Sequence, residues 1–269
     1  MSPDTGAAGA PTTPGTGTGT AQQYLYCIIA SGADVAGLSG LDPQTALRQS
    51  EVGPVAVVHS DLHPVLRSGA AELSDRQLAS LATRHDEVLR SVSARTTVLP
   101  VRFATVVRAV NELSEVLADT AESLASQLKA LNGCSEWAVH IDLPSDTEQV
   151  AAATPIQRDG AATGTDYLLA RQSRLSDART LRRRTAEAGG ALDAELRTSG
   201  VLAALPLHTA GTRVYNTAYL LPDDRTDAFA RVVERHAALV KTQGGQLRVS
   251  GPWLPYTFTV LNFAAARDV

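Results

Sequence analysis

Several residue types are scarce in this chain, and each shortage narrows what it does. Cysteine occurs twice, as Cys27 and Cys134, too rarely for a disulfide framework. Cys27 stands among apolar residues in a strand pattern and Cys134 follows a helix stop, so both read as reduced structural thiols. Among the 24 basic residues only Lys129 and Lys241 are lysines, which reads as a compositional bias toward Arg and Ala. No run approaches the roughly 20 apolar residues that a membrane-spanning helix requires, so no membrane insertion is expected. The net charge of −4 provides no general attraction to phosphate backbones, which argues against a nucleic-acid binder. The first residues, MSPDTGAAGAPTTPGTGTGTAQQ, hold neither a basic nor an apolar block, so they are no secretory signal, and the cytoplasm is the expected compartment.

Catalytic motifs are missing as well. There is no G-x-G-x-x-G after a strand, no P-loop, no G-x-S-x-G and no H-E-x-x-H, the spacings that cradle phosphates, expose a nucleophile or bind zinc. His59 and His63 are four apart, yet Pro54 and Pro64 bracket them and no third ligand stands at a familiar distance, whereas zinc needs three or four converging ligands. His85 and His236 fall on apolar helix faces, where a hydrogen-bonded core histidine is the plain reading. Asp223 and Asp224 open a helix, where carboxylates stabilise the dipole. The expectation is a chain with no catalytic residue, no metal and no cofactor.

What is present is a soluble, globular composition, 44% hydrophobic and 19% charged over 269 residues. YLYCIIA at 24–30 and GPVAVVHS at 53–60 read as strands. Ser74 and Gln77 make a capping box for a helix that carries Leu78, Leu81, His85, Val88, Leu89 and Val92. TTVLPVRF at 96–103 reads as a strand interrupted by Pro100. The spacing from Val106 through Val110, Leu113, Leu117, Ala121, Leu124, Leu128 and Leu131 predicts a second, longer helix stopped by Asn132 and Gly133. EWAVHIDL at 136–143 is another strand. A long helix over 165–197 follows, with Leu168, Leu175, Leu181, Ala188, Leu192 and Leu196 near one stripe and Gly189 and Gly190 as a possible interruption. Strands at 201–208 and 212–221, a helix carrying Phe229, Val232, Val233, His236 and Val240, and the strand QLRVSG complete the pattern.

This alternation predicts an α+β fold of two domains, each a sheet covered by amphipathic helices and ferredoxin-like in character. The expected layout is a disordered tail at 1–21, an N-terminal α+β domain at 22–143, a connection at 144–164 and a C-terminal α+β domain at 165–269. The run LRRRT, with arginines upstream, makes one helix locally basic. Arg171, Arg174, Arg182, Arg183 and Arg184 form either a solvated face or a surface for an acidic partner.

The few aromatics, four Phe, six Tyr and two Trp, are concentrated in SGPWLPYTF at 250–258. Two prolines do not suit a strand interior, and Trp253, Tyr256 and Phe258 do not suit a mobile tail. Gly251 and Pro252 are expected to end the last strand, and Trp253 and Tyr256 to fold back and seal a seam between sheet and helix or between domains. In that role Trp253→Ala would cost roughly 3 to 5 kcal/mol. The competing reading is a partner-facing aromatic patch. Arg102, between Val101 and Phe103, is expected to anchor a half-buried ion pair with Glu136 or Asp142.

YLYCIIA, TVLPVRFAT at 97–105, the strand EWAVHIDL, and NTAYLL with VSGPWLPYTF, taken together and in this order, resemble the gas vesicle protein family GvpF/GvpL across roughly residues 22–263 by motif comparison. The matching residues are Leu99, Pro100, Arg102, Phe103, Trp137, Gly251, Pro252, Trp253, Pro255 and Tyr256. Cys27, Ala104 and Ala138 stand where the family has glycine, and Leu254 where it has proline. The resemblance implies a non-enzymatic accessory or minor structural protein of gas vesicles, with two α+β domains, the first a modified ferredoxin-like one. It implies a role in vesicle assembly through contact with the main hydrophobic shell protein and other accessory proteins. A ferredoxin-like regulatory module that binds a small effector is the alternative.

Overall fold

In the computed structural model the described residues are 22–67, 72–108, 115, 117–144 and 164–259. The expected tail at 1–21 and most of the expected connection at 144–164 lie outside them. The apolar run near the start forms β1 (Gln23–Ala30), whose residues Tyr24 to Ile29 are fully buried. β1 pairs antiparallel with β3 (Val55–Asp61), and β3 with β2 (Arg48–Val52). The two-residue strands β4 (Leu99–Pro100) and β5 (Val106–Val107) pair with β1 along its other edge. A bulge between Leu25 and Cys27 resets the alternation. Tyr24, Tyr26 and Ile29 therefore face one core with Val88, Leu89 and Val92 of α1 (Asp75–Ser93), while Leu25 and Ile28 face another with Leu124, Leu128 and Leu131 of α2 (Ala121–Leu131). The Ser74–Gln77 capping box opens α1 as the residue spacing predicts.

The second sheet holds β6 (Cys134–Asp142), β7 (Ala203–Pro206), β8 (Arg213–Pro222) and β9 (Gln246–Trp253) in the order β7-β8-β6-β9, with every neighbour antiparallel. α3 (Gly164–Thr198) links β6 to β7, and α4 (Thr226–Thr242) links β8 to β9. Both helices cover one face: Val139, Tyr219 and Leu221 of the sheet meet Leu192 and Leu196 of α3 and Phe229, Val232 and Val233 of α4. On the opposite face Leu220 and Ala203 join the core that holds Leu25, Ile28 and Leu128, so the two sheets share apolar contact. The architecture is thus α+β, with two antiparallel sheets and their helices.

Four expectations need correction. Val106 lies in β5, residues 115, 117 and 118 are helical, and after a turn at 119–120 a separate helix runs over Ala121–Leu131, with Thr120 at its N-cap; residues 109–114 and 116 are outside the described set. The 96–103 segment contributes only Leu99–Pro100 as strand, because Pro100 has no N–H to extend a ladder. The six-residue step from Leu175 to Leu181 rotates the apolar stripe by about 120° at 100° per residue, so Leu168 and Leu175 are exposed while Ala188, Leu192 and Leu196 are buried. α3 also continues through Gly189 and Gly190. A Cβ at Gly189 would stand 2.5 Å from the Tyr215 ring, so glycine there lets the helix lie against β8.

Candidate functional site

The residues of the quoted motifs converge where the two sheets meet. Tyr24 and Tyr26 point from β1 toward α1, with ring centroids 4.9 Å apart, and His85 of α1 stacks on Tyr26 and meets Phe103 edge-on. A chain of hydrogen bonds runs through them. The Ala104 backbone N–H donates to Tyr24 Oη (3.1 Å), the Tyr24 hydroxyl donates to His85 Nδ1 (2.9 Å), and His85 Nε2–H donates to the Val101 carbonyl (3.1 Å). With Tyr24 Oη taken by the Ala104 donor, this is the tautomer that satisfies all three links. Tyr26 Oη accepts from the Leu41 N–H at 2.8 Å and pairs with Ser60 Oγ at 2.9 Å. Burial holds the His85 imidazolium down to about 4 and pushes the Tyr24 hydroxyl well above the ordinary phenol range. His85 is therefore neutral at physiological pH.

The turn after β4 is fixed from both sides. Val101 N–H donates to the Tyr26 carbonyl, Leu25 N–H to the Thr105 carbonyl, and Thr105 Oγ1 to the Arg102 carbonyl. Ala104 sits at φ +64, a left-handed conformation that costs a non-glycine residue about 1 kcal/mol or more. Held this way, Leu99, Pro100 and Val101 are buried, Phe103 is half-buried and the Arg102 side chain stands in solvent. Arg102 does not pair with either expected carboxylate. Asp142 bonds Arg213 at 3.0 Å, and buried Glu136 accepts from the Thr257 N–H (2.8 Å) and Thr257 hydroxyl (2.6 Å).

That bond from Glu136 anchors the aromatic segment. β9 does not end at Gly251: it continues through Pro252 to Trp253, opposite Glu136, past a bulge. Gly251 has φ +141, and a Cβ there would lie 2.9 Å from the Glu136 carbonyl oxygen and from the Trp137 ring. Trp137 in turn packs on Phe229 at 5.6 Å and donates through Nε1 to Ser135 Oγ. Beyond the strand, Leu254 and Tyr256 pack against the Tyr24–Tyr26 core, Phe258 packs against the Leu25–Ile28 core, and Pro255 is buried. Tyr256 thus lies in a seam. Trp253, expected there too, is 41% exposed, with the Arg90 guanidinium 5.7 Å over its ring. Its own strand position turns it outward, so the segment seals with Leu254, Tyr256 and Phe258 instead.

The arginine patch lies apart from this seam. Arg171, Arg174 and Arg184 are exposed on α3, Arg182 donates to the Gly211 carbonyl at 3.0 Å, and Arg183 pairs with Glu187 at 3.3 Å. Residue patterns alone did not single out Tyr24, Tyr26 and Glu136 as a network; a histidine at position 85 of an otherwise apolar helix face was the available signal. His59 and His63 bind no common group: His59 is buried between Ser50 Oγ and Gln23 Oε1, each at 3.0 Å, and His63 Nδ1 accepts from the Val65 N–H. Among the described residues no group of three or more His, Cys, Asp or Glu is placed to hold a metal, and no helix is long and apolar enough to cross a membrane. A shallow depression of about 670 Å3 is lined by Leu41, His63, Gln77, Leu81, Arg84 and Glu87, with Arg84 already bonded to Glu87 and the Gly40 carbonyl.

The chain is similar to known proteins in sequence and in fold. The chain is 30% identical over 260 residues to gas vesicle protein L of a Streptomyces species, covering 88% of this chain and 92% of that one. It is 29% identical over 263 residues to gas vesicle protein L2 of Halobacterium salinarum, covering 88% and 90%. The fold is similar to the crystal structures of gas vesicle protein GvpF from an Anabaena species (TM-score 0.65, 20% identity, 90% of this chain and 99% of that one) and from Microcystis aeruginosa (TM-score 0.64, 22% identity, 90% and 100%). A family model described as gas vesicle synthesis protein GvpL/GvpF matches residues 22–260, and the chain therefore belongs to the GvpL/GvpF gas vesicle protein family.

Proposed function

We propose that this protein works in the cytoplasm in the assembly of gas vesicles, as a non-enzymatic accessory or minor structural component that contacts the main hydrophobic shell protein and other accessory proteins. The family match over residues 22–260 is the observation that carries the reading. The disposition of the motif residues agrees with it: Leu99, Pro100, Phe103, Trp137, Gly251, Pro255 and Tyr256 serve packing, and Arg102, Pro252 and Trp253 remain exposed for a partner. We take the chain as two ferredoxin-like units after a tail at 1–21, and although the expected bounds 22–143 and 165–269 with a 144–164 connection put β6 in the first, β6 pairs with β8 and β9 and so belongs with the second. Support for the second unit is its strand order β9-β6-β8-β7, with helices after its first and third strands, the split βαβ arrangement.

The effector-binding alternative finds little support, because in the depression beside α1 the Arg84 and Glu87 side chains are bonded to each other. No metal or other cofactor enters this proposal, which elemental analysis of the purified chain checks. The decisive experiment deletes the gene in a vesicle-producing host and restores it with a tagged copy. Vesicles should be missing or malformed without it, and the main shell protein should co-purify with the tagged chain. Vesicles of normal number and shape in the deletion strain would overturn the reading.

A further inference from the structure

α3 behaves as two different helices along its length. From Thr185 onward it packs on the sheet, with Thr185, Ala188, Leu192 and Leu196 buried and Asp193 accepting from Tyr219 Oη at 2.8 Å. From Thr165 to Arg179 every described side chain is exposed, so along roughly four turns at 3.6 residues per turn no described side chain is buried against the body. Isolated helices of that length are marginal in water, and a polar surface helix has no reason to carry large apolar groups on an unpacked side. Yet Leu168, Leu169 and Leu175 are 62%, 59% and 52% exposed, three of the nine large hydrophobics most open to solvent among the described residues.

Spacing and charge say what would cover them. Leu168 and Leu175 are one heptad apart, so they stand on nearly the same line of the helix, about 20° offset. Arg171, three residues after the first and four before the second, lies between them, and Arg179 follows Leu175 by four. Residues 165–184 hold six arginines against two aspartates, in a chain whose net charge is −4. Arg171, Arg174 and Arg179 make no ion pair with any described residue, so their guanidinium forks remain open for carboxylates.

We propose that the projecting half of α3 is a docking surface for an acidic amphipathic helix of another protein, its apolar residues resting on Leu168 and Leu175 and its carboxylates on the flanking arginines. The proposal deepens the assembly reading and rests on it for the partner's identity. A second copy of α3 is disfavoured because it would set arginines against arginines. A lipid surface is disfavoured because the apolar line is only two leucines long, too narrow for interfacial insertion.

The test uses the full chain and two labelled synthetic peptides of identical Leu, Ala and Glu content about three heptads long, one with leucines at heptad spacing and one scrambled. Fluorescence anisotropy should show the heptad peptide binding at least about ten-fold more tightly than the scrambled one, with added salt weakening it. Amide exchange over 165–181 should slow in the complex. The double variant Leu168→Ser/Leu175→Ser should lose about ten-fold or more in affinity while its denaturation curve stays that of the wild type. Equal binding of both peptides, an unaffected double variant, capture by phosphatidylglycerol vesicles in place of the peptide, or a dimer that the double variant abolishes would each overturn it. Vesicles lost on gene deletion together with no peptide binding would overturn this proposal and leave the assembly role intact; peptide binding with normal vesicles in the deletion strain would uphold the docking surface and overturn that role.

Discussion

The seam between the sheets and the free half of α3 use side chains in opposite ways. In the seam polar groups are committed: Tyr24, His85 and the Val101 carbonyl form one chain, and Glu136 spends both oxygens on Thr257. On the free half the leucines are more than half exposed, and Arg171, Arg174 and Arg179 make no ion pair with a described residue. Family motifs fall almost wholly in the first region, so they mark what the fold requires, and the residues that meet partners are to be sought mainly outside them. Arg102, Pro252 and Trp253 are the exceptions, motif residues that the fold holds in place yet leaves in solvent.

If that contrast is right, substitutions should rank by region. The largest effect is expected at Gly251→Ala: the positive φ and a Cβ 2.9 Å from the Glu136 carbonyl oxygen should together cost about 3 kcal/mol, measured by urea denaturation. A wild-type midpoint would mean that β9 relaxes freely and that the seam is not tightly fixed. Acid should do nearly as much. His85 is held near 4 in the folded chain against an ordinary value of about 6.5. Its contribution is complete above pH 6.5 and is lost as pH falls toward 4, about 3 kcal/mol in all. His59, also held near 4 by burial and by Arg48, acts in the same direction. Denaturation at pH 7 and pH 4.5 should show the loss, and His85→Gln should reduce its pH dependence.

Legibility followed the same division. Strands with dense β-formers, the capping box of α1, and the order of α3, β7, β8, α4 and β9 could all be read from residue patterns. β2 could not: RQSEV has one β-branched residue, and it is a strand because Ser50 and its backbone meet β3. Val106 sat at helical spacing from Val110, yet pairing with Tyr24 decided its state, a tertiary contact that no local window contains. The partner of Glu136 was equally hidden, since it lies 121 residues away in sequence. The role of Trp253 was misjudged because hydrophobic content does not tell which side of an edge strand faces the core.

Smaller effects sharpen the comparison at its boundary. Trp253→Ala should cost about 1 kcal/mol, the scale of an exposed cation–π contact, and not the loss expected of a core tryptophan. A loss of 3 kcal/mol or more would return Trp253 to the seam. Smallest of all, Leu175→Ser should move stability by no more than about 0.5 kcal/mol, because nothing in the body rests on it. Paired with the peptide titration, that near-silence in denaturation separates a docking residue from a structural one.

The return of residues 254–258 to the first sheet also bears on how the protein is made. A ribosome releases β1 early, but the core around Tyr24 and Tyr26 is closed by Leu254 and Tyr256, which follow every strand of the second sheet. Contacts of such sequence separation form slowly and only after the loop between them has been ordered. The nascent first sheet therefore waits with its core incompletely covered until residues 254–256 emerge, and while waiting it is most prone to wrong association. A ribosome-stalled chain ending before position 254 should remain protease-sensitive around β1, and one extended well past position 258 should convert to the resistant form.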